Sequence, residues 1–395
     1  MKIVNINLSF YPDSIGGAAV VAEKLAWGLV QAGHEVNSIY LSRQPVDSDF
    51  TVMETPFGRS IAINNVTQSP ATRFFNPVVT SLLKELIDLL NPDLIFVHAV
   101  QHMGIHELLA DPDLRSRCCI VAHDFFWTCL QGFRNLPDGQ PCNLAPNGQN
   151  CRQCAWFPGL TDGIYAASRT ILNDCRAVVF PSHYLYAEYV RLLGEGAGNF
   201  VVQSNPDIAE TIITDQTVLP DAPGAEAKAR GKTVFGFVGG PGETKGWGLV
   251  RDFMQRAKDC AADPGGPHVV LYDIGRSINV PWYPGMKQPG TTITDPFHWS
   301  FGRHALSQLD VLLMPSRVRE SFGLAAREIL SMDRDCIIRP SGALAEIQDC
   351  AGVAVAEQDD DVDSLMAKLK DSRRSERRPW PGTSISDYVA KLTSL

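Results

Sequence analysis

Glu320 and Glu328 stand eight residues apart in RESFGLAAREIL, with Ser321, Phe322, Gly323 and Leu324 among the residues between them. Pro315 and Ser316 close an apolar run, and Gly323 permits a tight approach from which a helix through Glu328 and Leu330 can begin. The first amides of such a helix, near Gly323 and Leu324, lack intrahelical partners and favour an anion. At about 1.5 Å of rise per residue, Glu328 falls roughly 6 Å beyond Leu324 along the axis. That separation suits a diphosphate at the helix end and a ribose beside its first turn, with Glu328 accepting from the ribose hydroxyls. Glu320, still in the loop, would reach towards whatever is attached beyond the phosphates. Taken alone, Glu328 reads equally well as an exposed helix acid, and Glu320 as a first-turn acid favoured by the helix dipole.

A second anion feature lies in FVGGPGETKGW, where a strand ends at Gly239 and Gly240 and Lys245 follows within the turn. A lysine there can neutralise phosphate as a point charge, although the glycine spacing is neither a phosphate-loop nor a dinucleotide fingerprint. An ordinary surface lysine before a helix is the plain alternative. His123, in VAHDFFW, ends another strand and is followed by Asp124; His98, in IFVHAVQH, is a weaker candidate for the acceptor side. His123 could instead be satisfied by local backbone.

Cys129, Cys142, Cys151 and Cys154 fall in a stretch crowded with Asn, Gly, Pro and Gln and poor in apolar residues. Burial alone could hardly order it, and a structural zinc with four cysteine ligands is the natural crosslink in a reducing compartment. With only one C-x2-C pair, free thiols or disulfides stay open. The other six cysteines lie in or beside apolar runs and read as core residues.

The elements that must position these residues form two alternating series. The first runs through KIVNINL, a Gly-containing turn with Gly16 and Gly17, an amphipathic run from Val20 to Ala32, the expected stop at Gly33, and EVNSIYL. It continues with strands at Asp93–Ala99, Cys118–Asp124, Arg176–Ser182 and Phe200–Pro206. From Thr214 to Lys232 the sequence reads as a linker. The second series places strands at Thr233–Gly240, His268–Gly275, Thr291–Pro296, Leu309–Ser316, Cys336–Pro340 and Gly352–Ala356. Strands alternating with helices predict an α/β architecture of two parallel, doubly wound sheets with ligands at the strands' carboxyl ends. The expected division is 1–213 with an insert at about 129–154, then 214–375, then a tail 376–395 whose helix can pack back on the N-terminal domain.

With 395 residues the chain exceeds what one core usually supports, and a net charge of -9 argues against a general nucleic-acid binder. The four arginines from Asp371 to Trp380 are diluted by two acids and read as a solvated connection, so membrane association is at most peripheral. The start resembles a strand rather than a secretory signal, and no apolar stretch approaches the roughly 20 residues needed to cross a bilayer. A cytoplasmic protein with mostly reduced thiols is expected.

Together, IGGAAVVAEKLAWGLVQAGHEV, VGGPGETKG and DVLLMPSRVRESFGLAAREIL resemble the retaining glycosyltransferases of family 4, which share the GT-B fold; the last stretch matches that family's E-x7-E motif. The resemblance implies two Rossmann-like domains facing across a cleft, the N-terminal one binding acceptor and the C-terminal one binding a nucleotide sugar. It implies that Glu320 touches the donor sugar, Glu328 the ribose and Lys245 the diphosphate. Gly16 and Gly17 would lie near donor and acceptor, and His123 near the sugar. Many members carry an arginine five residues before the lysine, where this chain has Gly240; phosphate binding would then lean on Lys245 and the helix amides, or borrow Arg276 or Arg319. The activity implied is metal-independent transfer of a sugar from a UDP- or GDP-sugar to a hydroxyl of a glycan, lipid-linked sugar or small natural product, with retained configuration and no covalent nucleophile. A nucleotide-sugar epimerase, a pseudo-glycosidic coupling enzyme and a catalytically silent binding module on the same fold are the alternatives.

Overall fold

The short apolar runs form strands and the amphipathic stretches between them form helices, in a computed structural model that describes residues 1–43, 46–138, 140–152, 154, 161–194, 199–206, 222–272, 286–294, 298–374 and 379–395. The chain divides into two units, Met1–Pro206 joined by Ile385–Leu395, and Asp207–Ser384.

The first unit holds an eight-stranded sheet of β1 (Lys2–Ile6), β2 (Glu35–Leu41), β3 (Phe50–Thr55), β4 (Gly58–Ile63), β5 (Leu94–Val97), β6 (Cys118–Val121), β7 (Ala177–Phe180) and β8 (Phe200–Val202), in the order β3-β4-β2-β1-β5-β6-β7-β8. β5, β6 and β7 are buried along their whole length, as strands covered on both faces must be. β1 pairs in parallel with β2 on one side, Ile3 opposite Val36, and with β5 on the other, Ile3 opposite Leu94. The winding direction changes between β1 and β5.

The sequence reading passed over the antiparallel β3–β4 hairpin. β3 is largely exposed and shows no apolar alternation, so only its turn betrays it. Gly58 there has φ +87°, and a Cβ on it would lie 2.5 Å from the Val36 carbonyl oxygen. The sheet is therefore parallel with one antiparallel edge, instead of parallel throughout.

The second unit holds β9 (Thr233–Val238), β10 (Pro267–Tyr272), β11 (Thr291–Ile293), β12 (Val311–Met314), β13 (Asp335–Ile338) and β14 (Val353–Val355), all parallel, in the order β11-β10-β9-β12-β13-β14. Here the winding changes between β9 and β12. The expected strand ends at Asp273–Gly275 and Asp295–Pro296 lie outside the described residues.

Part of the expected linker belongs to this unit. Ala225–Ala229 is a short helix led by Gly224 at φ +89°, with Ala227 buried in the core beside Val234 and Val270. One small apolar side chain gives no periodicity to read.

The tail helix, Ile385–Thr393, packs on the first helix, Gly16–Gln31, and buries Ile385, Tyr388, Val389 and Leu392. Gly28 lets the two approach: a Cβ there would meet Ile385 Cγ2 at 2.5 Å and Val389 Cγ2 at 2.7 Å. Each fully buried side chain of this kind contributes about 1.5–3 kcal/mol, enough to hold the tail to the N-terminal sheet. Among the described residues, no helix is long and apolar enough to cross a membrane.

Candidate active site

In doubly wound sheets, the carboxyl ends of the strands flanking the change of direction form the natural ligand crevice. In the second unit those strands are β9 and β12, which lead into Gly239–Lys245 and Pro315–Glu320. After β9, Gly239 and Gly240 enter a turn that ends in one 3-10 turn, Glu243–Lys245. Gly246 follows at φ +75°, where a Cβ would lie 2.0 Å from the Pro315 carbonyl oxygen, so only glycine brings this turn so close to the end of β12. The two segments are then tied by backbone: Arg317 N and Val318 N both donate to Thr244 O, at 2.8 and 3.2 Å.

The consequence is a direct contact between two of the predicted residues. Lys245 Nζ donates to Glu320 Oε1 at 2.7 Å, and Ser316 Oγ donates to the same oxygen at 2.7 Å. Glu320 is held from behind as well, because Ala343 N donates to its carbonyl at 2.8 Å and Gly342 sits against its backbone. With its side chain 14% exposed against 43% for Lys245, the carboxylate is the fixed member of the pair. Glu320 lies four residues ahead of the helix, so it is not a first-turn acid.

Phe322 is buried, and Gly323 at φ +76° is the N-cap of the helix Leu324–Ser331. A Cβ on Gly323 would come within 2.4 Å of Leu344 Cδ2. No side chain caps this helix, which leaves its first amides for a ligand or water. Glu328 is 6% exposed, which excludes the reading of an exposed helix acid. Ser321 lies in the loop between Glu320 and the helix. Arg276 lies outside the described residues.

Arg327 went unnoticed in the sequence. It is fully buried, its guanidinium lying 4.2 Å from the Phe322 ring centre and 4.9 Å from that of Trp380. Its Nη2 donates to Ala343 O and Glu346 Oε2, both at 3.1 Å. The arginine thereby locks the helix and the Phe322–Gly323 turn to the segment behind Glu320.

In the first unit, the strands flanking the change of direction are β1 and β5. After β1, Ser9 Oγ accepts from Ile15 N at 3.2 Å and Ser14 Oγ donates to the buried Glu23. Gly16, at φ +78° with open space where a Cβ would stand, opens the first helix with Gly17 beside it; no side chain caps that helix either. His98 ends β5 and His123 follows β6. Their rings stack at 5.2 Å and 21°, with His98 Nδ1 2.9 Å from His123 Nε2. Burial holds both imidazoles neutral, pushing His123 down to about 4 and His98 well below its usual range.

Beside them, Asp124 accepts from Phe126 N at 2.8 Å and from Gln101 Nε2 at 3.3 Å. Burial raises its carboxyl pKa against the opposing pull of those donors and of Arg73.

Several described residues of the cysteine segment are tied by hydrogen bonds to the backbone. Arg134 is buried and donates to Leu144 O at 2.7 Å, Cys142 N donates to Arg134 O at 2.7 Å, and Gln131 Nε2 donates to Cys154 O. Cys129, Cys142, Cys151 and Cys154 form no disulfide, and Cys151 Sγ lies 3.3 Å from Tyr165 Oη. Burial raises the Cys154 thiol, and Cys142, Cys129 and Cys151 add to the rise. Among the described residues, no group of three or more His, Cys, Asp or Glu is placed to hold a metal ion. Of the other six, Cys118, Cys119, Cys175 and Cys336 are buried core residues, while Cys260 and Cys350 are only half-buried.

Residues 15–206 match the family model for Glycosyltransferase Family 4. No curated protein sequence matches the chain. Among solved structures, sucrose-phosphate synthase from Thermosynechococcus elongatus is similar at 15% identity and a TM-score of 0.62, over 100% of this chain and 98% of that one. HepE from Anabaena in complex with UDP and glucose is similar at 14% identity and a TM-score of 0.58, over 100% and 99%. The catalytic domain of starch synthase IV from Arabidopsis thaliana bound to ADP and acarbose follows at 14% and 0.59, over 100% and 98%. These likenesses establish the fold as GT-B.

Proposed function

We propose that this chain, whose residues 15–206 match the model for glycosyltransferase family 4 and whose two units have the GT-B fold, moves a sugar from a UDP- or GDP-sugar to an acceptor hydroxyl with retained configuration. The observation that carries this reading is the meeting of Lys245 and Glu320 at 2.7 Å beside the uncapped helix that starts after Gly323, at the change of direction in the second sheet. HepE with UDP and starch synthase IV with ADP support a nucleotide donor.

Lys245, with the turn at Gly239 and Gly240, and the amides following Gly323 bind the diphosphate. Glu328 binds the ribose, Ser321 and Phe322 line the approach, and Glu320 orients the sugar. In the first unit, the resemblance assigns His123 to the sugar and Gly16 and Gly17 to the neighbourhood of donor and acceptor.

The chemical demand is charge growing on the leaving diphosphate as the bond from the anomeric carbon to the phosphate oxygen breaks. Preorganised amides and a lysine stabilise that charge in the transition state without a metal. The acceptor oxygen bonds to the same face of the anomeric carbon, and its proton passes to the departing phosphate oxygen. Glu320 is an orienting group rather than half of a hydrolase pair of carboxylates.

The test is turnover of UDP-, GDP-, ADP- and dTDP-sugars with and without a panel of acceptors. A transferase consumes donor only with acceptor, and loses turnover in Glu320→Ala. Consumption without acceptor would make it an epimerase, and binding without turnover a silent module. A cytoplasmic site of action, with the cysteines as reduced thiols or metal ligands rather than disulfides, belongs to the same proposal. A structural zinc on Cys129, Cys142, Cys151 and Cys154 is proposed with it, supported by the polar, Gly- and Pro-rich composition of the segment that carries them; purification without added zinc should then yield near-stoichiometric metal.

A further inference from the structure

Two histidines from neighbouring strands share one hydrogen bond, and the surroundings decide which way it runs. His98 is 3% exposed at the end of β5, with its backbone N donating to Ile6 O at 2.9 Å. Its ring faces His123 and cannot turn towards solvent. Between two neutral imidazoles at 2.9 Å, a single N–H lies on either His98 Nδ1 or His123 Nε2. His98 Nε2 is buried without a hydrogen-bond partner. A proton there would be an orphaned buried N–H, which folded proteins avoid more strictly than an under-used acceptor. The His98 proton therefore belongs on Nδ1.

We propose that His98 is a positioning residue that sets the tautomer of His123: its Nδ1–H donates to His123 Nε2, so His123 carries its own proton on Nδ1 and offers that N–H to an oxygen of the bound sugar. His123 has no other hydrogen-bond partner among the described residues, and the residue is only half-buried, so Nδ1 is the nitrogen left for a ligand. The direction matters because a sugar ring or hydroxyl oxygen always accepts, whereas an unprotonated Nδ1 would need a hydroxyl turned to donate. Burial keeps both rings neutral, which preserves the one-proton arrangement. The last step rests on the reading of His123 as a sugar contact; the tautomer does not.

The experiment uses the full chain labelled with 15N in its histidine rings. In the wild type, His123 should show a protonated Nδ1 and an unprotonated Nε2. In His98→Leu, His123 should move towards the Nε2–H form, and with the nucleotide sugar the wild type consumes, kcat should fall about tenfold with KM little changed. His98→Asn places an amide N–H close to where His98 Nδ1 stood, and should restore the Nδ1–H signature and kcat to within roughly threefold of wild type. A protonated Nε2 on His123 in the wild type would overturn the proposal. So would equal losses in the Leu and Asn variants at unchanged thermal midpoints. If His98→Leu does not fold, the wild-type and Asn spectra still decide. If the wild type consumes no nucleotide sugar, the donor reading fails while the tautomer measurement stands.

Discussion

Glu320→Gln should make the protein bind a free nucleoside diphosphate more tightly while nearly abolishing sugar transfer. Glu320 holds Lys245 at 2.7 Å, and a diphosphate must win the lysine from it. Two unit charges at that distance attract by about 1.5 kcal/mol at the dielectric of water and about 6 kcal/mol at an effective dielectric of 20. Lys245 is 43% exposed, so solvent screening reduces the net coupling to roughly 0.2–1 kcal/mol. Removing that competition should tighten UDP binding by about 1.5- to 5-fold. The amide oxygen of Gln still accepts from Ser316 Oγ, which preserves the loop. With Glu320 assigned to orient the sugar in the proposed reaction, kcat should fall by about a hundredfold or more in the same variant. Calorimetric titration with UDP at low and high salt reads the first effect, and salt should narrow the difference between the two proteins. Weaker UDP binding by Glu320→Gln at an unchanged thermal midpoint would refute the reasoning.

Gly246→Ala places a Cβ 2.0 Å from the Pro315 carbonyl at φ +75°, and urea titration should show the C-terminal unit destabilised by about 2–4 kcal/mol, with nucleotide binding lost. Glu346→Ala strips a carboxylate from the fully buried Arg327 and should cost about 3 kcal/mol in the same assay, whereas Arg327→Met, which removes the charge too, should cost less. Gly28→Leu should expel the tail helix and raise protease cleavage near Ile385, leaving strand content by circular dichroism unchanged. Burial lowers the pKa values of His98, His106 and His123, the last two to about 4 from an ordinary 6.5, so the unfolded chain takes up protons before the folded one does. Stability should therefore be level above about pH 6.5 and fall as pH drops towards 4, and His106→Gln should flatten part of that decline in urea midpoints.

The parallel strands were legible because a strand buried on both faces must be a short continuous apolar run, and the two turns at Gly239–Lys245 and Glu320–Gly323 were legible because glycines and chargeable residues interrupt those runs. The β3–β4 hairpin was not, since Val52 and Met53 face solvent and break the alternation. Arg327 was hidden by the opposite failing: a charged residue on a helix reads as surface until its stacking partners, Phe322 and the distant Trp380, are seen around it. His98 was ranked below His123 because sequence gives each strand its end residue but not the ring-to-ring contact across the strands. In the cysteine segment the composition suggested a need for a crosslink, and the buried Arg134 meets part of that need through backbone carbonyls.

The most direct measurement is a crystal structure of the protein with a nucleoside diphosphate. The phosphates should lie against Lys245 and the amides that follow Gly323, the ribose hydroxyls should donate to Glu328, and the Lys245–Glu320 contact should be broken or lengthened. A diphosphate bound elsewhere, or bound there with Glu328 turned away from the ribose and Lys245 still on Glu320, would contradict the assignment of this site.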